Sequence, residues 1–257
     1  MRRAVFLGSA ALALAAPMVL TAKPAPAPDF HAAVSAPGRS DEATKLDEGR
    51  KPEQVLAFEG LKTGDKAADI MAGNGYYTQI IARAVGPRGH VTAYNPEQFV
   101  KGDAKATADW AALMKQEHNV SYTIHPFEAF KAPAGAYDFV MIHLDYHDLY
   151  WESTKYGIKR IEPASFLKTL YAAVKPGGTV AVIDHVAAPG DTRATVEKYH
   201  RIDPETVKAD FKAAGFVLDG SSDLLRNTTD DHTKLVFDPT VRGKTDRFVF
   251  RFRKPRG

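Results

Sequence analysis

Three parts of this sequence have residue types and spacing that can do chemistry. The first is the run His143-Leu144-Asp145-Tyr146-His147-Asp148-Leu149-Tyr150-Trp151. The second is the pair Asp184-His185, with His200, Arg201 and Asp203 following it. The third is a glycine turn, Asp69-Ile70-Met71-Ala72-Gly73-Asn74-Gly75-Tyr76. Imidazole titrates near neutrality, so His147, Asp148 and His185 are candidates for taking a proton from a hydroxyl or an amine. The same residue types hold divalent transition metals. His143, Asp145, His147, Asp184 and His185 make one such set, but their spacing matches no metal motif, and no metal ligand is assigned. The bland alternative is that they cap strand ends and bond loops. That alternative is the better reading for a lone histidine such as His125 or His232. Several titratable groups converging on one place point instead to a pocket.

In the glycine turn, Gly73 and Gly75 let the backbone approach a ligand, and the amides of the following helix face a carboxylate or phosphate. A dinucleotide G-x-G-x-x-G is not completed, because Thr78 holds the third glycine position. A tight turn without a ligand is the alternative. Tyr76, Tyr77, Tyr146, Tyr150 and Trp151 fall near the same predicted rim, either lining an aromatic pocket or packing loops.

The elements that must position these residues alternate. Strands are predicted over 66–71, 90–94, 120–124, 137–143, 179–183, 216–218 and 247–252. Helices are predicted over 52–59, 78–85, 104–115 and 163–174, with another starting at Asp203-Pro204. Phe139 to Ile142 is continuously apolar, as in a strand covered on both faces. Repeated βα units predict an open, mostly parallel sheet with helices on both faces and ligands beyond the C-terminal strand ends. If the fourth strand continues, His143, Asp145 and His147 share a face. Phe248, Phe250 and Phe252 alternate with basic residues, which predicts a half-exposed or edge strand. The connection over 220–243 is long enough to form a lid.

The 257 residues bound one α/β domain. Charged residues make up 25% and the formal net charge is only +3, so no nucleic-acid partner is implied. Cysteine is absent, which excludes disulfides, thiolate nucleophiles and Cys-ligated metals. Arg2 and Arg3 precede an apolar, Ala- and Leu-rich run, so residues 1–22 read as a cleaved signal peptide. This predicts a periplasmic or secreted protein with no stable membrane insertion. Residues 23–42, rich in Pro and Ala, are expected to be a disordered tether, with one folded domain over 43–257.

The turn over 69–76 resembles the first motif of class I S-adenosylmethionine-dependent methyltransferases, D/E-x-G-x-G-x-G. Tyr137-Asp138-Phe139-Val140 resembles their fourth-strand entry. Val174-Lys175-Pro176-Gly177-Gly178 resembles their later L-x-P-G-G turn. Tyr146-His147-Asp148-Leu149, Asp184-His185, His200-Arg201-Ile202-Asp203 and Gly243-Lys244-Thr245-Asp246-Arg247-Phe248 are similar to features of a group of predicted exported bacterial methyltransferases. The resemblance implies a Rossmann-like α/β fold with a seven-stranded sheet and an antiparallel C-terminal strand. It also implies S-adenosyl-L-methionine as cofactor and a small-molecule acceptor. Asp69, Gly73, Asn74 and Gly75 then belong to the cofactor cradle. Asn95 falls where the family carries a ribose-gripping acid, and Glu97 stands two residues on as a substitute. Met71 replaces the first motif glycine. An exported chain has no evident supply of S-adenosylmethionine. That keeps two alternatives open: a binding protein of this fold without methyl transfer, or a metal-dependent hydrolase or lyase.

Overall fold

The computed structural model describes Met1 and residues 26–257. The expected signal peptide and the start of the expected tether therefore lie outside the described residues. The helices are α1 (Phe30–Ser35), α2 (Asp41–Thr44), α3 (Asp47–Arg50), α4 (Pro52–Glu59), α5 (Tyr76–Val85), α6 (Glu97–Val100), α7 (Ala104–Gln116), α8 (Pro163–Ala173), α9 (Thr192–Tyr199) and α10 (Pro204–Ala213). The strands are β1 (Lys66–Ile70), β2 (His90–Pro96), β3 (Val120–His125), β4 (Tyr137–His143), β5 (Val174–His185), β6 (Val217–Ser222) and β7 (Arg247–Arg253).

They form one sheet in the order β3-β2-β1-β4-β5-β7-β6. The first five strands are parallel, and β7 runs antiparallel to both neighbours. The order reverses between β1 and β4, where Ile70 lies opposite Ile142. In such sheets this crevice is where ligands bind. Alternate strand residues enter opposite cores, as the period of two requires. Ala68, Ile70, Val140, Ile142, Val180 and Val182 pack on one face with α8 and α10 residues. Ala67, Phe139, Met141, Ala181 and Ile183 pack on the other with α4 and α5 residues.

Three expectations are corrected. The supposed tether contains α1, whose buried Ala33 and partly buried Phe30 and Val34 join the α4/α5 core. So short a helix is stable only when docked. Arg39 then ties this segment down through two 2.6 Å bonds to Asp47. Second, β7 is an interior strand, because β6 pairs outside it, and Phe248, Val249, Phe250 and Phe252 are all buried. Its outer arginines are engaged too: Arg251 and Arg253 both bond Asp219. Third, β4 does not continue past His143. Leu144 turns left-handed at φ 66, and Tyr146–Tyr150 forms a 3-10 turn.

Candidate functional site

The glycine turn leaves β1 at the sheet's switch point and enters α5. Gly73 and Gly75 both have positive φ, 55° and 78°. A side chain at Gly75 would meet Leu113 at 2.6 Å and Trp110 at 3.2 Å, whereas nothing lies within 4 Å of one at Gly73. Gly75 is thus required by packing on α7, while Gly73 and the exposed Asn74 face open space. Met71, at the position of the family's first glycine, keeps a left-handed φ of 53° and is buried.

Asn95 does not reach outward. Its Oδ1 accepts from Gly73 N at 2.9 Å, and its Nδ2 donates to Gly73 O at 2.8 Å and to Tyr122 Oη at 3.2 Å. Both amide hydrogens are spent on clamping the turn. Trp110 adds a 3.1 Å bond from Nε1 to Gly73 O and stacks on Tyr122 at 4.0 Å. Nothing local in the sequence marks Trp110 for this role, because its target lies 37 residues away. Glu97 is exposed at the first position of α6. Asp69 is buried and accepts 2.6 Å from Thr78 Oγ1. Burial pushes its carboxyl up to about 7, against the Thr78 bond.

A cavity of about 1280 Å³ opens at the C-terminal strand ends; none of residues 69–76 lines it, but Arg50 of its wall lies over the Tyr76 ring at 4.3 Å. It reaches Phe99 on α6, Leu144 and Asp145 after β4, His185 at the end of β5, and Arg247 at the start of β7. Its far walls come from 45–51 and from the 224–245 connection. That connection is not a free flap. Arg201, with 0% of its side chain exposed, pairs with Asp230 at 2.8 Å. Asp246 further holds Arg226 and Asn227 N, each at 2.8 Å, and His232 at 3.0 Å. His232 and His125 both serve structure, the latter through Pro126 O.

The His/Asp residues separate into distinct environments. Asp184, fully buried, accepts from His147 N at 2.8 Å, His147 Nδ1 at 2.8 Å and His185 N at 2.7 Å. His147 Nε2 then points at Asp148 Oδ1, 3.4 Å away, and His200 Nδ1 is 3.6 Å from the same oxygen. Burial opposes charge on His147, but Asp184 and Asp148 outweigh it and raise the imidazole to about 9. Burial, then Asp148, lifts Asp145 well above the usual carboxylate range. His185 sits lower: burial, His147 and Arg247 push it well below its ordinary value. Its Nδ1 is 2.6 Å from Thr245 Oγ1, which also accepts from Arg247 Nε at 3.1 Å. His143 is apart from these, buried against Tyr77 with ring centroids 4.7 Å away. His143 and Asp184 are the two members of the His143/Asp145/His147/Asp184/His185 set that do not line the cavity.

The aromatic residues expected at the rim mostly pack. Tyr146 and Tyr150 both bond Asp210, at 2.8 and 2.6 Å, and Tyr76 bonds Asp47 at 2.6 Å. Trp151 alone of the five lines the cavity.

Comparison with known proteins places this geometry. No protein-family model matches the chain. A demethylmenaquinone methyltransferase from Geobacillus sp. (strain WCH70) is 27% identical over 135 residues, 51% of this chain and 50% of that protein. The chain thus spans about half the length of the curated relative it matches. Among solved structures, a SAM-dependent methyltransferase from Aquifex aeolicus superposes with a TM-score of 0.56 at 21% identity, covering 84% of this chain and 99% of that one. An S-adenosylmethionine-dependent methyltransferase from Mesorhizobium loti gives 0.55 at 15% identity, covering 81% and 100%. The [4+2]-cyclase SpnF gives 0.58 at 18% identity, covering 81% and 82%. The chain therefore has the Rossmann-like methyltransferase fold, a scaffold that also carries a cyclase.

Proposed function

We propose that this chain is an S-adenosylmethionine-dependent methyltransferase acting on a small anionic molecule. The observation that carries the reading is the clamped, left-handed glycine turn, open at Gly73, at the switch point of a methyltransferase-fold sheet that also holds a cavity at its C-terminal strand ends. Gly73, Asn74 and Gly75 cradle the cofactor, and exposed Glu97 grips its ribose. Asn95 and Asp69 hold the turn from beneath. When bound, S-adenosylmethionine would supply an electrophilic methyl group for the acceptor's lone pair, with the sulfonium sulfur as the leaving group.

The acceptor occupies the cavity. Eight lysines and arginines line it against four acidic residues, which favours a negatively charged molecule. Arg247 is buried yet bonds only Thr245 and Gly49 O, and no described carboxylate pairs with it. Burial and Arg50 lower its guanidinium to about 10. A substrate carboxylate or phosphate beside Arg247 offsets that cost. Of the histidines here, His185 is the proton acceptor. Its ring is fixed by Thr245, and burial and its cationic neighbours hold it in the neutral form that can take a proton, whereas His147 is committed to Asp184 through Nδ1. Orientation of acceptor and base supplies most of the acceleration.

Export of the chain through residues 1–22 belongs to the same proposal; a reporter fused to residues 1–30 that stays in the cytoplasm counts against it. The activity is tested by measuring S-adenosylhomocysteine release from S-adenosylmethionine with hydroxy- and thiol-bearing carboxylates and phosphates. Turnover that falls at least 100-fold in His185→Ala, with cofactor binding unchanged, is expected. Cofactor binding without turnover on any such acceptor leaves the binding-protein alternative in force.

A further inference from the structure

We propose that His147, Asp148 and His200 form a binding site for a divalent transition-metal ion of the zinc class. His147 Nε2 and His200 Nδ1 stand 3.4 and 3.6 Å from Asp148 Oδ1. Those distances are long for a charge-assisted hydrogen bond, which falls near 2.8 Å. They match the edge of a tetrahedron instead. Metal–nitrogen and metal–oxygen bonds of about 2.0–2.1 Å put neighbouring ligand atoms about 3.3 Å apart. The three donor atoms all lie within 4.8 Å of one another.

Two independent observations point to a ligand at this place. Asp148 Oδ1 is buried without a hydrogen-bond partner. An orphaned carboxylate oxygen is costly unless something positive reaches it. Second, His147 carries the outer support that metal-bound histidines have: Nδ1 is 2.8 Å from Asp184 Oδ1, which fixes the ring and aims the Nε2 lone pair at Asp148. Asp184 is itself fixed by the backbone amides of His147 and His185. The three side chains come from two separate segments, the 3-10 turn after β4 and the residue closing α9. His200 holds a left-handed φ of 50° there, and His147 and His200 rings stand edge to face at 5.5 Å.

His147, Asp148 and His200 all line the cavity, so a fourth metal position opens into it. That vertex suits an oxygen or sulfur of the acceptor, close to His185. This use rests on the methyltransferase reading; the metal site does not. It differs from the His143/Asp145/His147/Asp184/His185 set weighed from sequence, since His143 packs against Tyr77 and Asp184 bonds His147 from behind.

The test is metal content and affinity of the full chain, stripped with a chelator and dialysed against zinc or cobalt(II). One equivalent per chain is expected, with a cobalt visible spectrum of tetrahedral intensity. Asp148→Asn and His200→Asn, the latter chosen because Asn tolerates the left-handed backbone, each weaken binding at least 100-fold. Asp184→Asn weakens it about 10- to 100-fold through His147 orientation. His125→Ala leaves it unchanged. A folded wild-type chain that takes up no stoichiometric metal overturns the proposal, as does full affinity in Asp148→Asn. Cofactor titration on the same samples separates the two readings. Metal uptake without cofactor binding keeps this site and removes the methyltransferase; cofactor binding without metal does the reverse.

Discussion

Replacing Arg201 by Met is the substitution whose cost the structure specifies best. The guanidinium is wholly buried and pairs with Asp230 through NH1 at 2.8 Å and NH2 at 3.1 Å. NH1 also bonds Val186 O at 3.2 Å, and Nε bonds Lys234 O at 2.9 Å. Asp230 in turn accepts from the amides of Asp246 at 2.7 Å and His232 at 3.2 Å. The pair therefore joins the end of β5 to the connection that walls the cavity. Met fills most of the volume but leaves a buried carboxylate without its cation, which costs about 3–5 kcal/mol. For a chain of this size that is a fall in Tm on the order of 10 °C. Urea denaturation followed by tryptophan fluorescence, with calorimetry alongside, measures it. Arg201→Met/Asp230→Leu should cost less than the two single changes added together, by about 0.5–3 kcal/mol. Lys105→Ala, at the exposed end of the Lys105–Asp109 pair, is the control and should change stability by no more than about 0.5 kcal/mol. An Arg201→Met cost as small as that control refutes the reasoning, and with it the claim that this wall is anchored rather than a lid.

Three further outcomes are expected. Met71→Gly should cost less than Met71→Ala, the reverse of the usual order. Both lose a buried side chain, but only Gly releases the left-handed strain of about 1–2 kcal/mol; equal costs in denaturant melts would remove strain from the account. Glu59 is fully buried with both oxygens unpartnered, and burial holds its carboxyl well above its ordinary range. The unfolded chain ionises first, so this group's contribution to stability declines as pH rises above about 4.3, by up to about 1.4 kcal/mol per unit. Glu59→Gln should flatten that decline, and a parallel pair of stability–pH curves contradicts it. A chain starting at residue 43 should be less stable than one starting at residue 26, because it loses α1 and the Arg39–Asp47 pair; matching Tm values restore the tether.

Most of the sheet was legible because buried parallel strands write continuous apolar runs, as in Phe139 to Ile142, and helices write their own spacing, as in Phe166, Leu167 and Leu170. The misses have separate causes. In α1, Pro and Ala set the composition, and the information that it folds lies in the groove that receives Ala33. The alternation in β7 is real, but its partner β6 precedes it by a long connection whose pairing no local pattern reveals. Extending β4 failed at Leu144, a residue with no intrinsic preference for its left-handed φ of 66°. That single turn redirects His147 from the face shared with His143 to Asp184. His147, Asp148 and His185 do line one cavity, as their expected convergence requires, while their separate bonding partners came only from the strand ends that the fold brings together. Asn95 illustrates the same limit, since its position matched a motif and its bonds turned inward.

The central claim is that the glycine turn binds S-adenosylmethionine, and calorimetric titration of the cofactor and of S-adenosylhomocysteine into the folded chain tests it most directly. The account predicts micromolar binding, about −8 kcal/mol, abolished in Gly73→Val, where a β-branched side chain must occupy a φ of 55° in the open cradle. No heat of binding at millimolar ligand, or unchanged affinity in Gly73→Val, contradicts it.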